Sequence, residues 1–209
     1  NHPQQPRYIF GHSLGGAIAI DLATQVDDER GTLVEGTFSS IPDVASTFQW
    51  GWLPIGPLIT QRFDSAAKVR RIGSPLLVVH GASDQLIRPE LGRKLLRETS
   101  AMRVLGYGIG ESHRDSHALV RAEALTDLPH GQRFNLVLPN GRAVVETALV
   151  GRYNISNLLA IAAVLFDAGL AADDVARRLS ALTPPPGRME RVGGNGEPLV
   201  VVDYAHTPD

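Results

Sequence analysis

The stretch Arg7-Tyr8-Ile9-Phe10-Gly11-His12-Ser13-Leu14-Gly15-Gly16-Ala17-Ile18-Ala19-Ile20-Asp21-Leu22-Ala23 decides how the first half of this chain folds. Residues 7–10 are a short β-prone run, the Gly-rich segment 11–16 follows, and Ala17 to Val26 then carries Ile18, Leu22 and Val26 at helical spacing. That order predicts strand, tight turn, helix. A G-x-S-x-G in such a setting is a nucleophile elbow: Ser13 sits strained at the apex, and Gly11 and Gly15 are expected there because a Cβ at either would clash. The competing reading is a Gly-rich turn whose Ser13 merely caps the helix.

Working outward, Thr32-Leu33-Val34-Glu35-Gly36 reads as the next strand. Phe48 to Leu58, with Trp50, Trp52, Pro54 and Pro57, is an aromatic, Pro-broken stretch. It suits either a cover over an apolar substrate site or plain packing under a long loop. Ser74 to Gly81 is a continuous apolar run of the kind buried in a parallel sheet, and Ala82-Ser83-Asp84 follows it. An acid at the carboxyl end of a parallel strand lies where a doubly wound sheet places its chemistry, and Ser13 followed by Asp84 suits a triad order of Ser, acid, His.

The segments YIFGHSLGGAIAIDLA, LVEGTFSS and FDSAAKVRRIGSPLLVVHGASDQLIRPELGRKLL together resemble the serine α/β-hydrolase superfamily, closest to its small peptidase-like or thioesterase-like members, over about Arg7 to Arg97. The resemblance implies Ser13 as nucleophile, the Leu14 backbone N–H as one oxyanion donor, and Asp84 as the acid that orients the catalytic His. The family's first strands, which carry the other oxyanion donor, have no counterpart here. Met102 to Tyr107 is a candidate further strand, and His113, near where such a family places its His, is the candidate base. A solvent-exposed loop His is the plainer reading of it.

From Ser116 the texture becomes antiparallel β. Ala118, Val120, Ala122 and Ala124 alternate with Arg121 and Glu123, and 133–138 and 143–150 flank Pro139-Asn140-Gly141-Arg142, whose Asn-Gly is a strong hairpin signal. A helix is expected over Asn154 to Asp167, with Ile155, Leu158, Leu159, Ala162 and Leu165 on one face and Gly169 as its stop. A second is expected from Ala172 to Leu182, with Asp173 and Asp174 at its positive end. Pro184-Pro185-Pro186-Gly187 reads as a stiff interdomain linker, and Leu199 to Asp203 as a new buried strand. Asn157, Arg188 and Asp203 recur where packing does not require them. An amide suits an adenine edge, a guanidinium a phosphate and a carboxylate a ribose hydroxyl, although each also has an ordinary structural reading.

The segments GRYNISNLLAIAAVLFDAGL, LTPPPGRMERV and VVVDYAHTPD resemble the Mur ligase family, on the side of the UDP-N-acetylmuramoyl-tripeptide synthetases that add the third residue of the peptidoglycan stem peptide. The resemblance runs from about Met102 to Asp209. It implies Asn157 near adenine, Arg188 near the phosphates, Asp203 near the ribose with the His206 loop adjoining, and ATP and Mg²⁺ as cofactors. No G-x-x-G-K-[T/S] phosphate loop occurs within these 209 residues. Without it the backbone N–H cradle for phosphate is missing.

The expected fold is therefore α/β: a partial doubly wound parallel sheet, then a mixed or antiparallel α/β segment of Mur ligase type. Expected domains are 1–100 (nucleophile elbow to acid strand), 101–183 (latter part of the ligase central ATPase domain) and 184–209 (linker and first strand of the next domain). The chain reads as a fused fragment cut at both ends, expected to lack full activity in isolation, because groups that act as a unit lose most of their effect when members are removed. A weak serine hydrolase and a nucleotide-binding remnant are the active alternatives, with an ester or amide, or a UDP-MurNAc-peptide, as substrate. The formal charge of -2 from 20 basic and 22 acidic residues gathers neither nucleic acid nor anionic lipid. The absence of cysteine excludes disulfides and thiolate sites and fits a reducing cytoplasm, and no apolar run approaches the ~18 residues a membrane helix needs. No metal ligand set and no oligomeric state can be read.

Overall fold

In the computed structural model the described residues are 5–37, 40, 64–81, 102–110, 118–187, 189–193, 198 and 200–204. Trp50, Trp52, Asp84, His113, Arg188 and His206 lie outside them. The chain divides into two compact units, residues 1–107 with 115–118, and residues 108–114 with 119–209.

The first unit is a parallel sheet. Strands β1 (Arg7–His12), β2 (Glu29–Glu35), β3 (Leu76–Gly81) and β4 (Met102–Ile109) pair in that order, with Phe10 opposite Leu33, Val34 opposite Val78 and Val79 opposite Leu105. Helix α1 (Leu14–Ala23) joins β1 to β2, and the short α2 (Ser65–Val69) precedes β3 with Asp64 capping it through the Ala67 N–H. Ala19, Ile20, Val34, Val69, Leu76 and Val78 form one buried cluster, and Ile9 packs against it. Two expectations for α1 need correction. It starts directly after Ser13, and it stops at Thr24, where the Thr24 hydroxyl and the Gln25 amide both donate to the Asp21 carbonyl. Ile18 and Leu22 face outward, while Gly16, Ala17, Ala19, Ile20 and Ala23 are buried. Its inner face is mostly small residues, Gly16, Ala17, Ala19 and Ala23, with Ile20 as the one large side chain buried in the core.

The second unit is antiparallel. Strands β5 (Ala118–Leu128), β6 (Gly131–Leu138) and β7 (Gly141–Thr147) form a meander, and α3 (Arg152–Asp167) and α4 (Ala172–Ser180) follow, with α4 packed on β7 and β6. Phe134, Leu136, Val145, Ile155, Leu158, Leu159, Val175 and Leu179 make the core. Gly169, at φ 90, ends α3, and the Leu170 N–H reaches back to the Leu165 carbonyl at 3.1 Å. The hairpin register differs from expectation. Leu138 pairs with Gly141, so the turn is Pro139 and Asn140 alone rather than the four residues 139–142 expected between the strands. Proline's fixed negative φ forbids a primed turn centred on it, and Gly141 takes the positive φ of 156 instead. The preceding hairpin repeats the device, with Pro129 and His130 between Leu128 and Gly131.

The predicted alternation in β5 also breaks. Val120 and Ala122 are fully buried, but the register shifts between Glu123 and Thr126, and Ala124 adopts φ 52 and points to solvent. This β-bulge leaves Glu123 buried, with Arg121 at 3.3 Å and Arg142 at 3.6 Å neutralising its carboxylate. Strands β8 (Glu190–Val192) and β9 (Val200–Val202) form a separate two-stranded antiparallel ribbon. The expectation of a buried strand fails here, since Val200 and Val201 are exposed: among the described residues no layer covers the ribbon. Among the described residues, no helix is long and apolar enough to cross a membrane.

Candidate functional site

Two groups of candidate residues fall in different units. In the first unit the strand-turn-helix order is present as expected: β1 ends at His12, α1 begins at Leu14, and Ser13 joins them at φ 54, ψ -123. A non-glycine residue pays about 1–3 kcal/mol to sit there, and such strain persists only where the surroundings enforce it. They do. The Ser13 N–H donates to the Glu35 carbonyl at 2.9 Å, and the Ser13 carbonyl accepts from the Gly16 N–H at 2.9 Å and from the buried Thr37 hydroxyl at 3.2 Å.

Ser13 Oγ makes no capping hydrogen bond to α1, so the helix-cap reading fails, and the hydroxyl sits at the apex with no hydrogen-bond partner among the described residues. Leu14 opens the helix, where first-turn N–H groups have no intrahelical partner, which suits its expected role as an anion donor. The expected glycine pair needs revision. A Cβ on Gly11 would lie 2.2 Å from the Gly15 carbonyl oxygen, and one on Gly16 would lie 2.5 Å from Thr37 Oγ1, but one on Gly15 would meet nothing within 4 Å. Gly11 lets β1 and the first turn of α1 approach, and Gly16 lets α1 approach Thr37 just beyond β2.

Beside the elbow lies a group that sequence reasoning missed. Glu35, at the carboxyl end of β2, accepts a hydrogen bond from the Tyr107 hydroxyl at 3.1 Å, and its other oxygen lies 3.4 Å from His12 Nδ1. Tyr107 stands on β4 in register with Gly81 on β3, where even an added Cβ would meet the ring at an ordinary 3.6 Å. His12, Glu35 and Tyr107 thus form a row across the strand ends at Ser13. The available signal was weak: a Gly ending β3 and an acid ending β2, each ordinary alone.

In the second unit Asn157 is exposed on α3, and Asp203 is exposed just after β9. No hydrogen bond joins them, and neither is engaged by another described residue. The segments that flank Arg188 and Asp203 do meet. The Tyr204 N–H donates to the Gly187 carbonyl at 2.9 Å, and the Gly187 N–H donates to Glu190 Oε2 at 2.7 Å. A Cβ on Gly187 would stand 2.1 Å from the Tyr204 ring, and its φ of 71 is a left-handed one. Gly187→Ala should therefore loosen the ribbon by ~1–3 kcal/mol, seen as faster amide exchange at Tyr204. Unchanged protection would show that this contact does not hold the segment. Exposed Asn157 and Asp203 fit the amide and carboxylate chemistry of an adenine edge and a ribose hydroxyl. Among the described residues no group of three His, Asp or Glu side chains is placed to hold a metal.

Residues 84–165 match the Mur ligase middle domain. The match begins upstream of Met102, at Asp84. The chain is 43% identical over 118 residues to a UDP-N-acetylmuramoyl-L-alanyl-D-glutamate–2,6-diaminopimelate ligase of Ectopseudomonas mendocina, covering 56% of this chain and 23% of that protein. It is 37% identical over 126 residues to the ligase of that name from Janthinobacterium sp., covering 60% and 25%. The chain thus spans about a quarter of the length of these curated relatives. Among solved structures, MurF from Acinetobacter baumannii superposes with a TM-score of 0.59 at 15% identity, covering 92% of this chain and 36% of that one. A UDP-N-acetylmuramoyl-L-alanyl-D-glutamate–2,6-diaminopimelate ligase does so with a TM-score of 0.59 at 21% identity, covering 91% and 36%. The fold is therefore the mixed parallel and antiparallel α/β arrangement of Mur ligases.

Proposed function

We propose that the second unit serves the nucleotide side of an ATP-dependent ligase that joins an amino acid to a UDP-N-acetylmuramoyl peptide. The observation that carries this is the match of residues 84–165 to the Mur ligase middle domain, together with relatives named as ligases of that class. Asn157 would take the adenine edge, Asp203 a ribose hydroxyl and Arg188 a phosphate oxygen, by the chemistry each side chain offers. The hydrogen bond between Gly187 and Tyr204 supports the grouping of the last two. Bound ATP would supply the activated phosphoryl group, and Mg²⁺ would offset its charge. The chain's own part is to orient the nucleoside. Phosphate loops provide most of the affinity for a triphosphate, and these 209 residues contain none. Three exposed contacts seldom overcome the several kcal/mol of lost translational and rotational freedom, so the dissociation constant for ATP with Mg²⁺ should be no tighter than ~1 mM. Calorimetric titration of the chain and of its Asp203→Ala variant checks this. Binding that is unaltered in the variant would remove Asp203 from the site.

A second reading is favoured by the backbone of Ser13, a strained elbow whose hydroxyl caps nothing. In it Ser13 is the nucleophile of a serine hydrolase, Leu14 gives one oxyanion N–H, and Asp84 and His113 are the acid and base. Leu14 is the single oxyanion donor assigned within these 209 residues, and each donor is worth ~10²-fold or more, so turnover of a short activated ester by this chain should fall far below an ordinary enzyme's rate. A fluorophosphonate should nonetheless label Ser13, and Ser13→Ala should abolish both labelling and turnover. An equal rate in Ser13→Ala would mark the hydrolysis as background.

A further inference from the structure

At the opposite, amino-terminal edge of the parallel sheet, a cleft of about 760 Å³ opens between the end of α1 and the segment that leads into β3. Its lining includes Gln25, Asp27, Glu29, Arg30, Arg71 and Ser74. Two of these are more than nine-tenths buried and carry an oxygen without a hydrogen-bond partner among the described residues: Glu29, 9% exposed, through Oε2, and Ser74, 8% exposed, through Oγ. A buried carboxylate oxygen with no donor is costly and calls for a cation or an N–H from outside the chain. The carboxyl end of α1 adds its negative dipole to the same wall. At the rim Arg30 and Arg71 are exposed, and neither guanidinium has a partner among the described residues.

We infer that this cleft binds a small zwitterion, a primary ammonium joined by a short spacer to a carboxylate. Glu29 and Ser74 receive the ammonium, and Arg30 and Arg71 receive the carboxylate. The charge balance favours this class over a simple anion. Asp27 and Glu29 offset the two arginines, so a phosphate would meet as much repulsion as attraction, whereas a ligand with both signs satisfies both ends. The site lies at the strand ends away from Ser13, and its existence is independent of both functional readings.

Backbone amide spectra of the whole chain, titrated separately with glycine, N-acetylglycine, glycinamide and inorganic phosphate, test the inference. Glycine should give saturable shifts at Glu29, Arg30, Gly73 and Ser74. N-acetylglycine and glycinamide, each lacking one charge, should bind at least ~10-fold more weakly, as should glycine to Arg71→Gln, an exposed change that spares the fold. Glu29→Gln should show the same loss. Phosphate or N-acetylglycine binding as well as glycine would make this an anion site and overturn the proposal. So would the absence of any saturable shift up to ~50 mM glycine, a concentration that would detect even very weak binding.

Discussion

Gly11→Ala should cost the first unit about 3 kcal/mol, while Gly15→Ala, four residues along the same motif, should be neutral or stabilising by up to ~1 kcal/mol. The contrast follows from what each new methyl would meet. At Gly11 it would lie 2.2 Å and 2.6 Å from the Gly15 carbonyl oxygen and carbon and 2.7 Å from Ala19 Cβ, so the start of α1 would have to move bodily away from β1. At Gly15 it enters open space on a helix that gains from the lost backbone freedom. Such a shift would also pull Ser13 from the hydrogen bonds to Glu35 and Thr37 that hold its backbone. Denaturant unfolding of both variants, followed in the first unit, measures the difference. Equal losses would mean that helix and strand are not in the close contact described.

Phe134→Ala should destabilise the second unit by ~3–5 kcal/mol. Phe134 is the largest fully buried side chain among the described residues and sits at the centre of β6, opposite Val145 on β7. Its removal leaves a cavity in a close-packed core that a stiff β-branched residue such as Val145, opposite it, fills poorly. Urea unfolding monitored at α3 and α4 would reveal the loss, and a change below ~1 kcal/mol would show that this core is loosely packed.

Much of this architecture was legible in the sequence, for identifiable reasons. The elbow was readable because strand, glycine turn and helix have distinct local signals, and β3 because an uninterrupted apolar run has few other homes. The end of α3 was readable from Gly169, the one residue type that takes the required left-handed turn without cost. Interior details were not. The inner face of α1 was misjudged because Ile18 and Leu22 point outward while Ile20 and a set of small residues point in, a consequence of the close contacts at Gly11 and Gly16 that no periodicity reports. The bulge at Ala124 was hidden because it shows only in the register of β5 against β6, and the ion pairs that accompany it bring Arg142 from β7 to Glu123 on β5. The hairpin connection was expected over 139–142, two residues too long, because Asn-Gly was weighed without the proline before it. Ser13 and Leu14 were legible as candidate site residues, but the row of His12, Glu35 and Tyr107 depends on strand order and could be seen only once β4 lay beside β3. Asn157 and Asp203 were picked out by residue chemistry, and their exposure accords with access to a ligand.

The most direct test of a ligase-type nucleotide site is a titration of the chain with ATP and Mg²⁺ while the backbone amides are followed residue by residue. Shifts should concentrate at Asn157 and at Asp203 and Tyr204, with a midpoint no tighter than ~1 mM. Saturation in the micromolar range, or shifts that spare these three residues while appearing at the Ser13 turn, would contradict it.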